Sequence, residues 1–132
     1  MQISTPPFNS RSTGRLGLRM KFDLNHLPRI YTTGKDNLVK IADCGQILLE
    51  PNEQVTFVTE NGKKHDFTAK SWGYYATPSI NGRLRDQGFK TAMVKNTYGK
   101  FYIMVVDKEK LENFETYLEE EASTIIEWLD ER

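Results

Sequence analysis

Six consecutive apolar residues, Phe101-Tyr102-Ile103-Met104-Val105-Val106, constrain this chain more than any other feature. Apolar at both parities, the run has the pattern of a strand covered on both faces, which predicts a place in the interior of a sheet. Asn96-Thr97-Tyr98-Gly99 lies just before it, so residues 89–95 and 100–106 are expected to form a hairpin around that turn.

From Leu38 to Lys70 the signals are again those of β-structure. Ile47-Leu48-Leu49 runs into Glu50-Pro51-Asn52-Glu53, a turn with proline where its fixed φ is wanted, and a strand is expected on either side. The next turn, Glu60-Asn61-Gly62, decides between two registers. A two-residue Asn-Gly loop sets Phe57 opposite Asp66, whereas a three-residue loop with Gly62 left-handed sets Phe57 opposite His65 and Val55 opposite Phe67. The second gathers the apolar residues of the hairpin on one face and is the register predicted.

Thr77-Pro78-Ser79 reads as a helix start, with Thr77 as N-cap, Pro78 at the first helical position and Gly88 closing the helix in a left-handed conformation. Ile80 and Leu84 form its buried side, and Gly82 in its interior hints at close packing or close ligand approach. After the apolar strand, Asp107 caps a helix whose Leu111, Phe114, Leu118, Ala122, Ile125 and Leu129 fall on one stripe. That spacing predicts a long C-terminal helix, although Thr124 and Glu127 also fit a capping box that would break it near residues 121–124. The fold class expected is α+β: a mostly antiparallel sheet from two hairpins, a short inserted helix, and the long C-terminal helix packed on one face.

Residues 1–20 are rich in Ser, Thr, Pro and Arg, hold no acidic residue and show no apolar period, so a flexible tail is expected ahead of a single domain over 21–132. Met20 reads as an alternative start. No stretch approaches the roughly 20 apolar residues of a membrane-spanning helix, and no signal-peptide core appears, so a cytoplasmic protein with no membrane contact is expected. Cys44 is the sole cysteine and His26 and His65 the only histidines, which leaves no internal disulfide and no zinc-ligand spacing; neither a metal nor a cofactor is expected. Formal net charge is zero, yet residues 61–100 carry 8 basic and 2 acidic residues while 101–132 carry 3 and 10. Either the acidic C-terminal region neutralises its basic neighbour, or the basic segment meets an anionic partner.

The densest constellation for chemistry runs from Lys70 to Arg85. Trp72, Tyr74 and Tyr75 offer rings that stack on a base or a sugar face, and Thr77, Ser79, Asn81, Arg83 and Arg85 surround the expected helix start, where free N–H groups favour a phosphate or carboxylate. The opposing reading makes Trp72 and Tyr75 core residues, Thr77 a simple cap, and the two arginines partners of the acidic C-terminal region. A nucleic-acid interface is the rival binding mode, with Lys90, Lys95 and Lys100 on the second hairpin and Tyr98 and Tyr102 as stacking platforms. A protein-interaction surface on the C-terminal helix, at Glu119, Glu120, Glu121 and Trp128, is a third.

The catalytic inventory is poor. There is no phosphate loop, no dinucleotide fingerprint and no nucleophile elbow, and His65 and Asp66 fall on opposite strand faces, which is not triad geometry. Cys44 has no basic neighbour to activate it. These residues point away from an enzyme and leave the oligomeric state open.

The segment from Asp66 to Asp130, above all Trp72-Gly73-Tyr74-Tyr75-Ala76-Thr77-Pro78-Ser79 and Phe89-Lys90-Thr91-Ala92-Met93-Val94-Lys95-Asn96, resembles small bacterial proteins associated with surface-polysaccharide gene clusters. That resemblance implies a sugar or sugar nucleotide as ligand and maps no catalytic residue. The function expected is therefore a non-catalytic accessory domain that recognises an anionic or sugar-type ligand near residues 72–85.

Overall fold

Turns with left-handed residues cut this chain into short antiparallel strands. In the computed structural model, which describes residues 20–132, strands hold 51% and helices 20% of the residues. All of the expected tail except Met20 lies outside the described residues. The strands are β1 (Lys21–Thr33), β2 (Val39–Leu48), β3 (Gln54–Val58), β4 (Lys64–Lys70), β5 (Gly73–Ala76), β6 (Phe89–Lys95), β7 (Phe101–Asp107) and β8 (Thr124–Trp128). They form three small sheets, β1-β2, β3-β4-β5 and β7-β6-β8. Two short helices, α1 (Arg83–Asp86) and α2 (Leu111–Glu120), complete the fold.

The chain divides into two compact units. One takes the chain through Val55 together with Phe67–Tyr75; the other takes Thr56–Asp66 and Ala76–Arg132. In the first unit, β1 and β2 pair from Lys21 opposite Leu48 to Thr33 opposite Val39, with an irregularity between Leu24 and Arg29. Gly45 sits opposite Leu24 at φ +145, and a Cβ there would come within 2.3 Å of the Asp23 carbonyl oxygen, so only glycine fits. None of the residues in this ribbon is buried. β-structure from Leu38 and a strand through Ile47-Leu48 were expected, and β2 is that strand; its pairing with β1 was not expected.

The middle sheet follows the predicted register. The Thr59 N–H donates to the Lys63 carbonyl (2.9 Å) and the Ala69 N–H to the Glu53 carbonyl (2.9 Å), and Gly62 has φ +88. Both bonds belong to the pairing that sets Phe57 opposite His65 and Val55 opposite Phe67. The turn before it is as expected: the Glu53 N–H donates to the Glu50 carbonyl (3.0 Å), with Asn52 at φ +71.

In the second unit, β6 lies between β7 and β8, with Phe89 opposite Asp107 through Lys95 opposite Phe101 on one side and Ala92 opposite Trp128 on the other. Ala92, Val94 and Leu118 are the buried centre, with Met104, Phe114, Ile125 and Trp128 packed against them.

Three expectations are overturned here. The expected α+β fold, one sheet from two hairpins under a long C-terminal helix, is replaced by three sheets and one helical stretch of 13 residues, Lys108–Glu120. Ala122 takes φ +54, the Ser123 N–H donates to the Leu118 carbonyl (2.9 Å) and the Ala122 N–H to that of Glu119 (3.2 Å), a Schellman closure after which Thr124-Ile125-Ile126 runs as β8. The apolar strand 101–106 is not central but the outer strand of its sheet. Finally, the inserted helix does not begin at Thr77. It is the single turn Arg83–Asp86, entered from Gly82, while the Thr77 N–H donates to the Asp66 carbonyl (2.8 Å) as a continuation of the β4-β5 ladder.

Candidate ligand-binding face

The register of the middle sheet decides which side chains meet. Continuing the pairing of β3 and β4 sets Gln54 opposite Thr68, and the bond from Thr77 N–H to Asp66 O sets Thr68 opposite Tyr75. One row therefore crosses three strands as Gln54, Thr68, Tyr75, with the Thr68 hydroxyl 3.5 Å from Gln54 Oε1. Beside it the Lys70 ammonium donates to Asn52 Oδ1 (2.8 Å). Trp72 stands in the β4-β5 turn and stacks on Tyr75, ring centroids 6.3 Å apart and planes 24° from parallel. Trp72 is 71% exposed and Tyr75 40%. At Gly73 nothing lies within 4 Å of where a Cβ would be, so the space beside the ring pair is open. All of these residues belong to the first unit. The result is a polar floor of exposed Asn52 and Gln54 and half-buried Thr68 and Lys70, flanked by two stacked rings.

Tyr74 does not join this face. Alternation along β5 turns it to the other side, where its ring meets Phe67 edge-on at 6.3 Å. The rest of the expected site lies in the second unit and is occupied with structural contacts. Arg83 pairs with the buried Asp66 carboxylate (3.4 Å), Arg85 donates to the Asp130 carbonyl (3.0 Å), and Ser79 Oγ accepts from the Arg83 N–H (3.3 Å). Asn81 is exposed, and α1, a single turn, offers no helix start of useful length. Asn52, Gln54 and Thr68 were missed by reading neighbours along the chain, and Lys70 was read only as the start of the constellation; the predicted Phe57–His65 register already set Gln54 opposite Thr68.

Of the residues of the nucleic-acid reading, Lys90 and Lys95 make internal contacts, while Lys100 is exposed. Lys90 reaches Asp130 (3.2 Å) and Glu131 (2.7 Å) and lies 4.6 Å from the Trp128 ring centre, and Lys95 lies over Phe101 (5.6 Å). Tyr98 and Tyr102 remain exposed. Lys63 likewise binds Asp107 (2.5 Å). The bond from Lys63, with lesser help from the Asn61 amide and the Glu109 N–H, holds the Asp107 carboxyl far below the usual carboxylate range. Basic residues of 61–100 thus meet acidic residues of 101–132 within one unit.

Burial pushes the His65 imidazole below its ordinary value, opposed by Asp66 and reinforced by Arg83. Asp66 is the partner of Arg83, and Cys44 Sγ lies 3.6 Å from the Ala42 carbonyl. Among the described residues no three His, Cys, Asp or Glu side chains cluster as metal ligands, and no helix is long and apolar enough to cross a membrane. Comparison of the chain with family models, curated proteins and solved structures gives no match.

Proposed function

We propose that this chain is a non-catalytic, cytoplasmic binding domain for a sugar-type ligand that carries negative charge, such as a uronic acid or a sugar nucleotide. The observation that carries this reading is the near-parallel, exposed Trp72–Tyr75 pair beside polar groups from three strands. The apolar C–H face of a pyranose lies flat against indole and phenol rings, while its edge hydroxyls need both donors and acceptors. Asn52, Gln54 and Thr68 supply both, and the Lys70 ammonium favours an anionic group. The likeness of 66–130 to proteins of surface-polysaccharide clusters agrees with this ligand class.

The test is a thermal-shift and calorimetric screen with UDP-glucose, UDP-glucuronate, a glucuronate oligosaccharide and a short single-stranded oligonucleotide, because only a ligand that prefers the folded chain raises the midpoint. Trp72→Ala should weaken a sugar ligand by about 1–3 kcal/mol, the loss of one buried ring contact, at unchanged fold stability. Arg83→Ala and Arg85→Ala should leave affinity unchanged. Affinity lost at the arginines and kept at Trp72 would return the site to the segment 77–85.

A further inference from the structure

The outer strand β7 holds a contradiction between sequence and position. Phe101–Val106 carries no charge and is apolar at both parities, the pattern of an internal strand, yet β7 lies at the edge of β7-β6-β8. Edges are normally blunted with lysine, proline or a bulge, and this one has none of these between Phe101 and Val106.

The geometry shows what the edge offers. The Lys108 N–H donates to the Gly88 carbonyl and the Asn96 N–H to the Lys100 carbonyl, both at 2.9 Å. With 89 opposite 107 and 95 opposite 101, the hydrogen-bonded pairs are Lys90–Val106, Ala92–Met104 and Val94–Tyr102. The N–H and C=O groups of Phe101, Ile103 and Val105 therefore point away from β6, towards the open edge. The side chains of these same three residues are exposed, Ile103 by 59%. They stand on the face opposite the one that Leu118 and Phe114 of α2 cover.

We infer that β7 pairs antiparallel with β7 of a second copy of this chain, on a two-fold axis through Ile103. Three outward residues spaced symmetrically about Ile103 are self-complementary: Ile103 meets Ile103, and Phe101 meets Val105 in both directions. That register satisfies all three outward N–H and C=O pairs of each strand and sets apolar side chains opposite one another. It brings no two charges directly opposite, since Lys100 falls against Val106, Gly99 against Asp107 and Tyr98 against Lys108. β7 then becomes internal in the strand order of a six-stranded sheet, and its open edge is removed. A strand pair of this length is small beside the roughly 1,200–2,000 Å² of a stable interface, so association is reversible and concentration-dependent.

Sedimentation of the full chain from micromolar to millimolar concentration should show a monomer–dimer equilibrium. Ile103→Lys and Ile103→Glu, each placing like charges on the axis, should each weaken self-association at least about tenfold, and an equimolar mixture should restore the dimer. Amide exchange on the unaltered chain is the independent readout: protection should appear at Phe101, Ile103 and Val105 as concentration rises. A chain monomeric throughout overturns the proposal and leaves the edge to a strand of another protein. A dimer undiminished in both variants, or formed without protection at those amides, overturns it in favour of a different surface.

Discussion

Asp130 is 2% exposed, and its carboxylate accepts from the Thr91 N–H (2.8 Å) and from Lys90 (3.2 Å), while its own carbonyl accepts from Arg85. Burial alone would raise its pKa. The Thr91 bond and the Lys90 ammonium outweigh that and hold the carboxyl below its ordinary 3.8. A depressed carboxyl contributes stability that is present above 3.8 and is lost as pH falls through the folded value. Lys90 is raised above 10.5, mainly by its bond to Glu131, so its share is complete below 10.5 and is lost as pH rises through the folded value. Asp130→Ala strands the Thr91 N–H, takes one of two carboxylates from Lys90 and should cost about 1–3 kcal/mol in urea unfolding. Asp130→Asn should lower stability at neutral pH and flatten the acid limb of the stability curve. A variant as stable as the parent at pH 7 would show that this contact is incidental.

At the scale of elements, the C-terminal helix ends where it does because of one residue. Ala122 occupies the left-handed closing position of α2, a place that favours glycine and costs an L-residue about 1–2 kcal/mol. Ala122→Gly removes that strain against a gain in unfolded-state entropy, and should raise stability by about 0.5–1 kcal/mol, read as a higher Tm. A fall in Tm would mean that the closure is held differently. The same residue explains the misreading of this region. Alanine carries no stop signal, and Ile125 reaches the Ala92–Val94–Leu118 core from β8 as it would have from a longer helix, so the stripe through 129 looked continuous. The β3-β4 register, by contrast, was legible, since Gly62 and the alternation of Val55, Phe57, His65 and Phe67 admit one good pairing. β7 was legible as a strand but not as an outer one: a run apolar at both parities reads as a central strand, yet the sheet leaves it at the edge with Phe101, Ile103 and Val105 exposed. The candidate face was half legible: its rings are neighbours in sequence, whereas Asn52, Gln54, Thr68 and Lys70 meet them only through pairing.

For the whole molecule, charge segregation along the chain resolves in part into internal pairs, Lys63 with Asp107 and Lys90 with Asp130 and Glu131. Lys64, Lys95 and Lys100 stay exposed, so the basic segment is opposed only in part, and the exposed Trp72–Tyr75 pair is the feature on which the proposed function rests. Its two tryptophans give the chain an internal control. Trp72 stands exposed on the proposed face, while Trp128 is half-buried against Phe114 and Lys90. The most direct measurement is a two-dimensional ¹H–¹⁵N spectrum of the indole N–H pair during titration with UDP-glucuronate and with a glucuronate oligosaccharide. The Trp72 indole signal should move progressively to saturation with at least one of them while the Trp128 signal stays in place; a stationary Trp72 signal with both sugars, or movement confined to Trp128, would rule out the proposed face.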